Sequence, residues 1–271
     1  YKYSEILKIN NLKVIDKQYI NETRGFCICT FWILKIKSMN ENISIILSTY
    51  NEKPSIEFTI NNIIKNLNGA EIIVVDDNSP DGTLEIIKSI NYKKLKVYSR
   101  KNTKGLATAF LLGLINSNGK YIGWLDSNMG SLAEKFPEML KKLDSNDIAI
   151  LSRYIPGGKD ERGKFRVVVS YLLNKFTKFI LRSKVNDLSS GIFLMKRNVL
   201  NDVVPVAKGH GEFIIEFFYM AEKKGNKIVE IPYIHPVDIE GHSKSFPNLP
   251  KFLQFGLFYF LRIIKILLKK T

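Results

Sequence analysis

Short apolar runs of strand length alternate with longer stretches of helical period through the first half of this chain. Ile43–Leu47 is followed by Ile56–Leu67, Glu71–Val75 by Leu84–Ile90, and Leu95–Tyr98 by Gly105–Ile115, before a fourth run at Tyr121–Leu125. The runs are rich in β-branched residues and show little alternation, as strands buried on both faces do. Turn residues lie between them, so the pattern predicts βαβ units and a parallel sheet. A second set opens with a strand at Asp147–Leu151 and continues with helical spacing through Val167–Leu181. Val199–Val206 and Phe213–Lys223 read as helical at least in part and Lys227–Ile231 as strand. With no solenoid repeat and no low-complexity linker, this is one α/β domain.

Polar clusters stand where three of the strands should end: Thr49-Tyr50-Asn51-Glu52, Asp76-Asp77 and Asp126-Ser127-Asn128. In open α/β sheets ligands bind outside the carboxyl ends of the strands. Carboxylates there can accept hydrogen bonds from ribose hydroxyls or base N–H groups. A single cluster such as Asp76-Asp77-Asn78-Ser79-Pro80-Asp81-Gly82-Thr83 also suits a solvated turn, with Asp81 or Thr83 capping the following helix. Three clusters in succession favour a nucleotide site.

Charge narrows the partners. The 271 residues carry 41 Lys and Arg against 26 Asp and Glu, a formal net charge of +15. Such an excess suits a polyanion. No basic block with interleaved aromatics resembles a nucleic-acid module, so phosphorylated substrates and lipid headgroups lead, with no nucleic acid. Cys27 and Cys29 are the only cysteines; they form neither a disulfide framework nor a four-ligand zinc site and point to a reducing compartment. Met39 precedes the first convincing strand, so residues 1–38 read as an extension and 39–248 as the domain. The tail, 249–271, has Leu, Phe, Tyr and Ile around most of a helix at Leu249–Leu268, broken by Lys251, Arg262 and Lys265. Its cations argue against a spanning helix. It is expected either to lie at a membrane interface or to pack on the core.

Further motifs carry a resemblance. Together with Ser48 to Glu52 and Val74 to Thr83, they are Lys104-Gly105-Leu106, Ser152-Arg153-Tyr154-Ile155-Pro156-Gly157-Gly158, Asp187-Leu188-Ser189-Ser190-Gly191, Ile228 to Pro232 and Gly241-His242-Ser243-Lys244. The chain resembles the family-two glycosyltransferases of GT-A fold, most closely the dolichyl- or polyprenyl-phosphate mannosyltransferases. That resemblance implies a Rossmann-like, mostly parallel sheet flanked by helices. It implies that Thr49, Tyr50, Glu52, Val75, Asp77, Lys104, Asp126, Ser127 and Asn128 hold a GDP- or UDP-hexose. Asp126 and Asn128 would hold Mg²⁺ or Mn²⁺, and Arg153, Arg166, Ser170, Ser190, Ser243 and Lys244 would receive the acceptor's phosphate. Asp126, Arg153 and Arg166 are the catalytic candidates. Arginine suits phosphate because its planar fork donates two parallel hydrogen bonds.

Departures from the family pattern are as informative. Its usual second carboxylate is Asn128, which keeps a carbonyl oxygen for a hard cation but loses a negative charge. Gly130 stands where relatives often have glutamine or serine, and Asp238 where they commonly have a basic residue; Glu212 and Glu240 add acid near the donor pocket. The expected activity is inverting transfer of a mannose- or glucose-like hexose to a polyprenyl phosphate. An alternative is transfer to a glycan or glycolipid hydroxyl, for which Asp187 and Glu216 are the candidate bases. Another is a non-catalytic nucleotide-sugar-binding protein. The bilayer acceptor, the basic tail and the reduced cysteines lead to the cytoplasmic face of a membrane as the expected location.

Overall fold

The computed structural model describes residues 42–237 and 249–268. The extension before Met39, the two cysteines, Asp238, Glu240, Ser243 and Lys244 lie outside the described residues.

Among the described residues one large sheet dominates. Strand β1 (Ile43–Thr49) pairs in parallel with β2 (Glu71–Asp76) on one side and β4 (Tyr121–Trp124) on the other, and β2 carries β3 (Leu95–Ser99) outside it. Then comes β7 (Phe193–Lys196), antiparallel to both β4 and β5 (Ile148–Ser152), and β8 (Ile228–Pro232) parallel to β5. The order is β3-β2-β1-β4-β7-β5-β8. Two short strands, β6 (Lys159–Asp160) and β9 (Ile234–His235), pair beside it.

Successive residues of each strand enter opposite cores. Ile46, Ile73, Val75 and Trp124 face one cluster, while Ile45, Leu47, Ile72 and Val74 face another. Both faces are covered, so the strands read as continuous apolar runs. Helices α3 (Leu106–Ile115) and α6 (Phe213–Lys223) cover the first face; α1 (Ile56–Asn66), α2 (Thr83–Ser89) and α4 (Phe136–Lys142) cover the second. Gly82, left-handed at φ 91°, precedes α2, and the Asp81 carboxylate accepts the Thr83 N–H at 3.1 Å. Gly82 holds the N-cap position, and Asp81 just before it answers the otherwise orphaned N–H of the first helical residue.

The structure departs from the periodicity in two places. Val199–Val206 is helical only at its start, where a short 3-10 helix covers Arg197–Asn201; irregular chain follows. Strand β7 was not expected at all. Four residues buried on both sides give neither a period of two nor one of 3.6.

Helix α5 (Lys164–Leu181) is inverted relative to an ordinary surface helix. Its inward stripe is Arg166, Asn174, Thr177 and Leu181, whereas Phe165, Val168, Leu172, Phe176 and Phe179 are exposed. Helix α7 (Leu249–Leu268) packs beside it, with Phe260 stacked against Phe176. Ile263 and Ile266 of α7 enter the sheet core, while Leu257, Phe258, Leu261, Leu267 and Leu268 are exposed. No helix among the described residues is long and apolar enough to cross a membrane.

Candidate active site

The parallel strands β2, β1 and β4 are neighbours, so their three polar carboxyl ends meet. They open into a cleft of about 550 Å³. Tyr50, Glu52, Asp77 and Lys104 line one end, with Thr49 beneath. The ammonium of Lys104 sits over the Tyr50 ring, 4.3 Å from its centre. Asp77 is already engaged: Arg100 donates to its Oδ1 from Nε at 2.7 Å and from Nη2, and the Gly105 N–H donates to Oδ2 at 2.8 Å. Arg100 thereby ties β2 to the loop carrying Lys104. Asp76 is fully buried and structural, accepting from Thr49 Oγ1 and the Ser79 N–H, both at 3.0 Å. Val75 is wholly buried in the core, and its side chain does not line the cleft.

Asp126, Ser127 and Asn128 form the floor. Ser127 is a fastener: its hydroxyl donates to Ser48 O at 3.0 Å, and its own carbonyl accepts from Thr59 Oγ1 at 2.7 Å. The same contact with α1 explains Gly130, where a Cβ would stand 2.6 Å from the Thr59 Cα. No group of three or more His, Cys, Asp or Glu gathers as a metal site among the described residues. Asp126 and exposed Asn128 nevertheless suit a divalent ion held largely by its substrate, since Mg²⁺ commonly takes one or two protein oxygens and completes its shell with phosphates and water. Gly191 leaves the carboxylate room, because a Cβ there would lie 3.2 Å from Asp126 Oδ2.

Arginines line the same cleft. Arg153 is buried, and its fork grips Asp187 through Nε at 2.8 Å and Nη2 at 2.7 Å, with Ser189 Oγ a further acceptor at 2.9 Å. Burial works against the Arg153 charge, but Asp187 outweighs it and holds the guanidinium firmly protonated. Arg162, which the sequence reading did not single out, donates from Nε and Nη2 to Asp160. Arg166, Ser170 and Ser190 line the cleft beside them. Burial pushes the Tyr154 phenol up to about 12, and the nearby Asp187 and Asp160 reinforce the shift.

The two carboxylates considered as bases are both committed. Asp187 has no exposure and accepts from the Arg153 backbone N–H as well as its side chain. Glu216 is paired with Arg262 of α7 at 2.8 Å. Arg262 also approaches Glu212 at 3.6 Å and donates to Lys208 O at 2.6 Å. Glu212 in turn accepts the N–H groups of His210 and Gly211, so its charge is spent within the wall of the cleft. Phe255 and Tyr259 of α7 complete that wall, Phe255 stacking on His210 at 4.9 Å.

Besides Arg162, the sequence reading missed Arg100, His235 and the α7 wall. Arg100 follows β3 in a Ser-Arg-Lys run that looks like surface. His235 sits on a two-residue strand, too short to carry a period.

Fold and cleft together define an α/β domain of GT-A type. Similar solved structures include glucosyl-3-phosphoglycerate synthase from Mycobacterium tuberculosis with Mn²⁺, UDP and phosphoglyceric acid, at TM-score 0.63 and 18% identity over 83% of this chain and 78% of that one. The same enzyme with Mg²⁺ and UDP matches at TM-score 0.62 and 17% identity, over 83% of this chain and 79% of that one. The glycosyl transferase family 2 model matches residues 44–204, and the chain belongs to that family. Among its relatives are the dolichol-phosphate mannosyltransferase of Pyrococcus furiosus, 32% identical over 74% of this chain, and the polyprenol monophosphomannose synthase of Mycolicibacterium smegmatis, 28% identical over 69%. The match spans 58% of the Pyrococcus protein's length and 75% of the Mycolicibacterium protein's.

Proposed function

We propose that this chain transfers a hexose from a GDP- or UDP-sugar to a polyprenyl phosphate, with inversion at the anomeric carbon. The observation that carries the reading is the division of one cleft between carboxylate-bearing strand ends and an arginine-lined pocket. Phosphate is already an anionic nucleophile, so positioning beside the donor suffices and no strong base is required. A hydroxyl acceptor would need one, and Asp187 and Glu216 are both held in ion pairs. The named activities of the mannosyltransferase relatives agree with a lipid-phosphate acceptor. A divalent ion at Asp126 and Asn128 would offset charge on the departing diphosphate. Tyr50, Glu52 and Lys104 would orient the nucleoside end, and Arg153 and Arg166 the acceptor.

The outward apolar stripes of α5 and α7, flanked by Lys164, Lys175, Lys251 and Lys265, support docking on an anionic membrane surface. The cytoplasmic face, where nucleotide sugars are made, is the proposed side.

The test is incubation of purified protein and Mn²⁺ with GDP-mannose, UDP-glucose or GDP-glucose, each with a polyprenyl phosphate or the matching polyprenol. A glycolipid should form only from the phosphate. Transfer to the polyprenol would establish the hydroxyl reading, and nucleotide binding without transfer to either would establish the non-catalytic one.

A further inference from the structure

The arginines of the cleft hold polar atoms that the described residues leave unanswered. Arg162 spends Nε and Nη2 on Asp160, and its Nη1 has no hydrogen-bond acceptor among the described residues. The Nη1 of Arg153 has only Asp160 Oδ2 nearby, at 3.6 Å. Both side chains are over nine-tenths buried and line the cleft, so the little surface they keep opens into it. A ligand oxygen in the cleft can accept from these donors, which Asp160 and Asp187 already hold in place, and hydrogen bonds to charged groups are among the stronger ones.

His235 adds an acceptor. Strands β6 and β9 set it opposite Asp160 in register, and its ring lines the same cleft, 8% exposed. Its Nδ1 lies 2.9 Å from the Pro236 carbonyl oxygen. A carbonyl only accepts, so Nδ1 carries the hydrogen and Nε2 of the neutral ring presents a lone pair. Nε2 has no partner among the described residues. The charged and titratable groups around the ring are Arg162, Arg153, Asp160 and Tyr233. Burial first, and then Arg162, push the ring down to about 4, so it stays neutral above that pH.

Two donors beside one acceptor match an anion that also carries a hydroxyl. Resting on the polyprenyl-phosphate reading above, we propose that Arg162 and His235 are specificity residues of the acceptor pocket, selecting a phosphate monoester in its singly protonated form. Two unprotonated oxygens accept from the Nη1 groups of Arg153 and Arg162, and the P–OH donates to His235 Nε2. A phosphodiester has the same single charge but no P–OH, so it leaves His235 unanswered. The pocket thereby distinguishes the monoester acceptor from its own glycosylated product, which is a diester.

The experiment compares a short-chain prenyl phosphate with its methyl ester by calorimetry at pH 5.5, using the whole protein loaded with nucleoside diphosphate and Mn²⁺. At that pH both probes are largely monoanions, because the second pKa of a phosphate monoester lies near ~6. The wild type should prefer the monoester by about three- to tenfold, one hydrogen bond's worth. His235→Phe should abolish the preference, and His235→Gln, whose carbonyl can accept, should restore part of it. Arg162→Met should weaken both probes alike. An equal preference in wild type and His235→Phe, or none in the wild type, overturns the proposal while leaving the phosphate acceptor intact. Failure of the wild type to bind either probe while still binding nucleotide overturns the acceptor reading itself.

Discussion

Asp77 was expected to act on the donor alone, and its surroundings give Asp77→Ala a second and larger consequence. The substitution strands the guanidinium of Arg100, which is only 9% exposed, and removes the acceptor of the Gly105 N–H. Breaking a buried pair by deleting one partner costs about 3–5 kcal/mol. Against a total stability of about 5–15 kcal/mol that is a large fraction. At about 2–4 °C per kcal/mol for a domain of this size, Tm should fall by roughly 6–20 °C. Arg100→Met in the same chain should recover most of the loss, because an apolar replacement of a whole buried pair is often near neutral. The double variant then isolates binding: folded as the wild type, it should still hold nucleoside diphosphate at least about tenfold more weakly. Thermal unfolding of wild type, both single variants and the double variant, with calorimetry of nucleotide binding, reads both quantities. A loss below about 1 kcal/mol for Asp77→Ala, or no recovery in the double variant, would refute the clamp.

Three further outcomes follow from the site. Asp126→Ala should abolish Mn²⁺-dependent donor binding and Asn128→Asp should tighten Mn²⁺, both measurable by metal titration; a wild-type Mn²⁺ response in Asp126→Ala would remove the floor from the metal site. Truncation after Pro247 should destabilise the fold, since it deletes Ile263 and Ile266 from the core and leaves Glu212 and Glu216 without Arg262, whereas Phe176→Glu with Leu261→Glu should keep Tm and lose vesicle sedimentation. Burial opposes ionisation of Asp160, but Arg162 and Arg153 together hold its carboxyl below the ordinary 3.8. Its stabilising contribution is therefore complete above that value and lost as pH falls through the lower folded one, so Asp160→Asn should flatten the acid limb of a Tm-against-pH profile; an unchanged limb would show that the pair does not support acid stability.

The first half of the fold was legible because it obeys short-range rules. Its strands are buried on both faces and its turns are made of Asn, Ser, Pro, Asp and Gly. Each polar cluster follows its strand directly, so sequence neighbours remain neighbours in the cleft. The arginine-lined part was less so, since its contacts are long-range. Arg153 meets Asp187 across 34 residues, and Arg262 reaches Glu216 across 46. A motif can mark Arg153 and Asp187 without revealing that each occupies the other, or that Asp187 is unavailable as a base. Strand β7, too short to carry a period, shows the same limit. Helix α5 shows another: a 3.6-residue period fixes where the stripes lie and says nothing about which stripe faces the interior.

The inverted helix bears on how the molecule behaves at the bench. A stripe of phenylalanine, valine and leucine on the outside of α5, continued by α7, is left wet in plain buffer. Water-exposed apolar area at that scale favours self-association. Measured size and solubility should therefore depend on detergent or lipid, while the inward stripe of Arg166, Asn174, Thr177 and Leu181 remains indifferent to either. The chain's folding and its dispersal in solution are set by opposite sides of one helix.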